Sequence, residues 1–111
     1  MTMSKSRRQI ILQAIKDTVK GIVPEGSEVI LFGSRARGDA KANSDWDVLI
    51  ILDKDRVTRQ DMDDFGYPLW ERGLDFNENI NTIFYTKNDW HRRSASPFVE
   101  NVTEEGIKLW G

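Results

Sequence analysis

The residues of this chain that could carry chemistry lie in two neighbouring groups, a glycine–serine turn and a pair of aspartates. The turn, Gly33-Ser34, directly follows the apolar run Val29–Phe32, which is predicted to be a buried strand. Glycine lets phosphate oxygens approach the backbone closely, and Ser34 is predicted to open a short helix whose free N–H groups favour an anion. Arg35 and Arg37 add positive charge beside the turn. These features predict a site for a nucleoside triphosphate.

The aspartates, Asp45 and Asp47, stand at the entrance of a second apolar run, Val48–Leu52. Because side chains alternate along a strand, the two carboxylates are predicted to point to one side and Trp46 to point the other way, into the core. Two converging carboxylates repel each other unless a cation joins them, and hard oxygen ligands suit Mg²⁺ or Mn²⁺. Nucleotidyl transfer is a reaction that uses both a triphosphate and such a metal.

Residues 33–38 followed by residues 44–50 resemble the signature of the DNA polymerase beta-like nucleotidyltransferase superfamily. The resemblance is greatest to the minimal nucleotidyltransferases, small stand-alone domains of bacteria and archaea. It is specific over residues 29–52. It extends more loosely toward the end of the chain, where residues 98–109 resemble the closing helix of that family.

The resemblance implies an α/β (α+β) fold, with a small mixed β-sheet and helices packed mainly on one face. It also implies transfer of a nucleoside monophosphate, AMP from ATP, with Mg²⁺ or Mn²⁺. By this resemblance Gly33 and Ser34 would hold the triphosphate, and Asp45 and Asp47 would bind the metals and carry catalysis.

One departure from the family pattern concerns a third acidic residue on a later strand. The corresponding strand is predicted at Ile80–Tyr85, and Asn81 stands at the expected position. An amide can coordinate a metal weakly but accepts a proton poorly. Glu78, and more distantly Asp75, are the candidate replacements. Either a substrate or partner completes the site, or the protein is a poor catalyst.

Composition limits the possible classes of protein. With 111 residues the chain is predicted to be a single domain, residues 1–111. The net charge of −2 gives no basic footprint for nucleic acid, and the absence of cysteine excludes disulfides and thiolate metal sites. The charged N-terminus is not a signal peptide and no apolar run could span a membrane, so we expect a cytoplasmic protein.

Helices are predicted to alternate with the strands, which indicates one sheet domain. The predicted helices are one capped by Ser4 or Ser6 that ends near Lys20, one from about Arg59 to Arg72 that Pro68 kinks or breaks near Tyr67, a short one from Asn88 or Asp89, and a last one that begins at Pro97 and includes Leu109 and Trp110.

The short region after the predicted sheet leaves little surface for a second substrate, so we expect another chain to supply the acceptor. The family resemblance implies an antitoxin paired with a helical HEPN-type toxin, which it would inactivate by adding AMP. A second interpretation, which Asn81 favours, is a catalytically weak nucleotide-binding module that neutralises its partner by occlusion. A third is a small-molecule nucleotidyltransferase whose acceptor site forms across a homo-oligomer.

Overall fold

The first helix, α1 (Arg7–Ile22), begins at a capping box. The Ser6 hydroxyl accepts the Gln9 N–H at 3.1 Å, and the Gln9 side chain accepts the Ser6 N–H at 2.9 Å. Such reciprocal bonds satisfy donors that a helix start leaves without partners. The computed structural model describes residues 5–111, so the alternative cap, Ser4, lies outside the described residues.

The remaining elements follow in chain order. They are β1 (Glu28–Phe32), α2 (Ser34–Arg37), β2 (Trp46–Leu52), α3 (Arg59–Asp61), a π-helical segment (Met62–Gly66), α4 (Tyr67–Leu74), β3 (Ile80–Thr86), α5 (Lys87–Arg92), α6 (Pro97–Glu105) and β4 (Ile107–Trp110).

The four strands form one mixed sheet in the order β3-β2-β1-β4. Strand β1 is antiparallel to both β2 and β4, whereas β2 and β3 are parallel. A parallel pair needs a crossover connection, and the helical run from α3 to α4 provides it. The register pairs Asp47 with Phe32 on one side and with Asn81 on the other. The sheet therefore places three sequence-distant segments at one spot.

Helices cover both faces of this sheet, with the larger layer on one of them. Helices α1 and α4 pack on the main core, which includes Ile15, Val48 and Leu69. The shorter α5 and α6 cover the other face, against Leu49 and Ile51. Burial on both faces explains why β2 is continuously apolar after its first two residues. The predicted mixed sheet and α/β class are confirmed.

The helix predicted to kink or break at Pro68 is unbroken and changes helix type instead. Residues 59–74 stay helical throughout, and the π-helical segment Met62–Gly66 ends just before Tyr67-Pro68. Proline lacks a backbone donor, and wide turns of this kind are one way in which a helix absorbs such an interruption.

The prediction that the last helix includes Leu109 and Trp110 is wrong, and the resemblance of residues 98–109 to a closing helix fails at the same point. Helix α6 ends at Glu105, and the chain then enters β4. Gly106 makes this turn possible, because a Cβ there would lie 2.4 Å from the Val102 carbonyl oxygen. Within the described part of the chain, no helix is long and apolar enough to cross a membrane.

Candidate active site

Gly33 joins β1 to α2 in a backbone conformation that only glycine adopts readily, with φ 75° and ψ −160°. A Cβ at this position would lie 2.6 Å from Oδ2 of Asp47. The absence of a side chain at Gly33 therefore leaves room for a predicted metal-binding carboxylate to pack close to the turn. Ser34 is the first residue of α2, as predicted, where backbone N–H groups have no intrahelical acceptor.

The two aspartates converge beside this turn. Asp47 lies in β2, and Asp45 immediately precedes the strand. Asp45 accepts hydrogen bonds from Asn81 at 2.9 Å and from Asn79 at 3.2 Å. Burial raises the pKa of Asp47, the negative charge of Asp45 raises it further, and the Asn81 amide opposes the rise. The side chain between them, Trp46, is 1% exposed and buried in the main core.

The oxygen atoms of the two aspartates are of the kind that bind a hard divalent cation, but the site has few such ligands. Among residues 5–111, no three Asp, Glu, His or Cys side chains come close enough to hold a metal ion. The site consists of two carboxylates, and the pKa of Asp47 is raised first by burial and then by the negative charge of Asp45. Asn81 is paired with Asp47 in the strand register. Carboxylate and amide oxygens are ligands that Mg²⁺ accepts, and a cation would relieve the repulsion.

Glu78, the candidate third carboxylate, forms contacts with residues other than the two aspartates. Its Oε1 atom accepts from Arg35 at 3.2 Å and from the Trp46 indole N–H at 3.3 Å, and its Oε2 atom accepts from Arg7 at 3.4 Å. Because Trp46 points away from Asp47, Glu78 lies on the other side of β2. The more distant candidate, Asp75, forms an exposed ion pair with Arg72.

The two arginines of the turn have different positions. Arg35 is a candidate nucleotide-binding residue. Its guanidinium lies 4.8 Å from the centre of the Trp46 ring and bonds to Glu78, on the Trp46 side of β2. Arg37 forms exposed ion pairs with Asp39 at 3.2 Å and with Glu105 at 3.5 Å. Arg37 lines a small cavity together with Gly33.

The sequence comparison agrees with this geometry. A profile of the nucleotidyltransferase domain family matches residues 11–109, which include the turn, both aspartates and all four strands except the last residue of β4. The chain belongs to this family.

A curated relative of this nucleotidyltransferase domain comes from Methanocaldococcus jannaschii and bears the name "Putative protein adenylyltransferase". The two are 30% identical over 113 residues, which cover 99% of this chain and 100% of the relative. The full-length match indicates that the relative has the same domain and nothing further.

Solved structures show the same fold. A chain of a toxin–antitoxin crystallised with AMP-PNP superposes with a TM-score of 0.61 at 22% identity, covering 90% of this chain and 73% of that chain. A nucleotidyltransferase structure from Sulfolobus solfataricus gives 0.57 at 23% identity, covering 98% and 92%. A mutant of the toxin–antitoxin MntA–HpeT gives 0.54 at 18% identity, covering 96% and 74%.

The nucleotidyltransferase domain also has a cavity beside the turn that the sequence did not predict. It has a volume of about 210 Å³ and is lined by Phe32, Gly33, Arg37, Phe98, Asn101, Val102 and Glu105. Its residues come from β1, α2 and α6, and no local sequence pattern joins them. Asn79 was also missed, although its spacing of two from Asn81 places both amides on one side of an extended segment.

Proposed function

We propose that this domain transfers AMP from ATP to a hydroxyl group of a partner protein, with Mg²⁺ bound by Asp45 and Asp47. The observation that carries the proposal is the close packing of the Asp47 carboxylate against Gly33, where a Cβ would lie 2.6 Å from Oδ2 of Asp47. The turn that we propose to bind phosphate lies beside the carboxylate pair, and nucleotidyl transfer needs both functions. The family membership supports the same chemistry.

The proposed reaction is an in-line displacement at the α-phosphorus. The acceptor oxygen forms a bond to that phosphorus, the bond to the bridging oxygen breaks, and pyrophosphate leaves. Gly33 and Ser34 would hold the leaving pyrophosphate through backbone N–H groups, with Arg37 near the same turn. A bound Mg²⁺ would neutralise charge on the phosphates. Asn81 cannot take the proton of the acceptor hydroxyl, so the proton goes to another base, such as a group of the partner, of the substrate or solvent water.

The proposed partner is a HEPN-type helical toxin, for which this protein would be the antitoxin. Two structures with this fold come from toxin–antitoxins, one with AMP-PNP. The name of the archaeal relative supports a protein as the acceptor and AMP as the transferred group. A cytoplasmic location is part of this proposal.

The second candidate function is a nucleotide-binding module that neutralises its partner without catalysis. Asn81 favours it, because this residue stands opposite Asp47 in the strand register, where a third carboxylate is expected, and its side-chain amide donates to Asp45. A site built in this way could hold a nucleotide and metal yet transfer slowly.

A transfer assay with α-phosphate-labelled ATP and Mg²⁺ tests the proposal, using the protein together with the partner that co-purifies from its native host. Asp45→Asn/Asp47→Asn is expected to lower labelling of the partner about 100-fold or more, equivalent to ~3 kcal/mol of barrier. The exposed Asp63→Asn is the matched control and should label at the wild-type rate.

Asn81→Asp separates the two candidate functions. Restoring a carboxylate that can act as a base is expected to raise the transfer rate about tenfold or more. If the wild-type protein and Asn81→Asp both leave the partner unlabelled while the complex stays intact, the transfer proposal is rejected. If only Asn81→Asp labels the partner, the binding module is the correct function, and Asn81 is the reason why the wild-type protein does not transfer AMP.

A further inference from the structure

Arg35 holds the segment that carries the aspartates, and it does so from the Trp46 side of β2. Its Nε and Nη2 atoms donate to the Ser44 carbonyl oxygen at 3.2 Å and 2.9 Å, and Nη2 also reaches the Ala42 carbonyl at 3.4 Å. We propose that Arg35 is a positioning residue, which fixes the peptide bond before Asp45 and thereby holds the carboxylate pair ready for a metal. This inference rests on the metal site of the proposed function.

The geometry of these contacts requires an arginine. The Ser44 carbonyl belongs to the peptide group that leads into Asp45, and two donors of one rigid plane fix its orientation. The same guanidinium lies 4.8 Å from the centre of the Trp46 ring. Lysine offers a compact charge without the planar fork, so it cannot reproduce this combination of contacts. The residues before and after Asp45 are therefore both held by one side chain.

Glu78 compensates the charge of Arg35. The Arg35 side chain is 15% exposed and that of Glu78 is 9% exposed, so each charge needs a partner. Glu78 also accepts the indole N–H of Trp46, which ties the carboxylate to the residue between the two aspartates. Because Arg35 is neutralised in this way, it adds no positive charge to the aspartate pair, whose negative charge stays available for a cation.

Asp45 is fixed from the opposite side by β3 and the segment before it. The Asn79 and Asn81 amides donate to its carboxylate at 3.2 Å and 2.9 Å. The Trp46 backbone N–H donates to the Asn79 carbonyl at 2.9 Å. On the backbone, Arg35 thus holds the Ser44 carbonyl and Asn79 holds the Trp46 N–H, while two asparagines hold the Asp45 side chain. Removing Arg35 would release the peptide group before Asp45 while leaving the other bonds, so Asp45 would lose its fixed position relative to Asp47.

Mn²⁺ titration of the purified chain, followed by electron paramagnetic resonance, tests this role without relying on catalysis. Arg35→Met and Arg35→Lys are expected to weaken Mn²⁺ binding about 10- to 100-fold, the usual effect of losing a group that orients metal ligands. Arg92→Met is the matched control, because Arg92 is 73% exposed and pairs with Asp89 far along the chain from the site. It should leave the Mn²⁺ affinity unchanged. Thermal melting confirms that each variant is folded.

The outcomes decide between positioning and a purely structural role. If folded Arg35→Lys binds Mn²⁺ as tightly as the wild type, the proposal is overturned, and Arg35→Lys alone decides if Arg35→Met does not fold. A wild-type chain that binds no Mn²⁺ overturns it as well. If the wild type binds Mn²⁺, the Arg35 variants lose it, and no AMP is transferred to a partner, the positioning role stands and the proposed function fails.

Discussion

Gly33 is the residue at which backbone conformation and site chemistry depend on each other. Its positive φ and its contact with Asp47 are both incompatible with a side chain. The turn can therefore be formed by other residues only if the carboxylate moves. This explains in physical terms why a glycine precedes the serine, whereas the sequence indicated only that a turn follows the apolar strand.

Gly33→Ala is predicted to lower the free energy of unfolding by about 1–3 kcal/mol and to weaken nucleotide and metal binding, because the new Cβ strains the backbone and displaces Asp47. Gly21→Ala is the matched control. Gly21 lies in α1, and a Cβ there would have no neighbouring atom within 4 Å. Gly21→Ala should therefore raise the free energy of unfolding by about 0.5–1 kcal/mol. Urea unfolding measures both values, and equal effects of the two variants would contradict the argument.

At the scale of elements, the crossover helix begins at a capping box formed by Thr58 and the charged residue Asp61. The Asp61 carboxylate accepts the Thr58 N–H at 2.8 Å and is bonded by Lys54 at 2.8 Å and 3.0 Å. The pKa of Asp61 is lowered below its ordinary 3.8, mainly by the hydrogen bond from Lys54 and next by the hydrogen bond from the Thr58 backbone. This acidic residue therefore stabilises the fold and does not belong to a metal site.

The lowered pKa gives Asp61 a defined pH dependence. Its contribution to stability is complete above the ordinary carboxyl pKa of 3.8 and is lost as pH falls through the lower value of the folded state. Asp61→Asn is predicted to cost about 1–2 kcal/mol at pH 7. The difference from the wild type should vanish in strong acid. Urea unfolding between pH 7 and pH 2 checks this, with the exposed Asp64→Asn as the control, and a constant difference would refute it.

At the scale of the whole molecule, β4 forms one edge of the sheet and contributes to the main core. Its residues alternate, with Leu109 only 7% exposed and packed with the main core, and with Lys108 on the solvent side. Strand β4 is the neighbour of β1, and β1 leads into the Gly33 turn. The last element of the chain thus supports the strand that positions the site.

Leu109→Ala is predicted to lower the free energy of unfolding by about 2–5 kcal/mol, because it leaves a cavity in the main core. Lys108→Ala removes an exposed ion pair with Glu28 and should cost under about 1 kcal/mol. Thermal or urea unfolding of the two variants compares adjacent positions of one strand. Similar losses would mean that residues 107–110 do not alternate between core and solvent.

Local sequence determined the elements on which the site depends. The apolar runs at Val29–Phe32 and Val48–Leu52 predicted two buried strands, and alternation predicted that Trp46 turns into the core while the aspartates stay together. Glycine after the first strand predicted the turn. These inferences succeeded because strand period and glycine chemistry act over a few residues.

Only the tertiary structure decided which charged groups share the site. Arg35 and Glu78 are separated by 43 positions yet form one ion pair, which no local sequence pattern predicted. The strand identity of residues 107–110 was likewise decided by pairing with β1. Both outcomes depend on which distant segments meet in the fold. A charged side chain pairs with the opposite charge that the fold brings near it, and a short apolar segment becomes a strand when it can pair with a neighbouring strand.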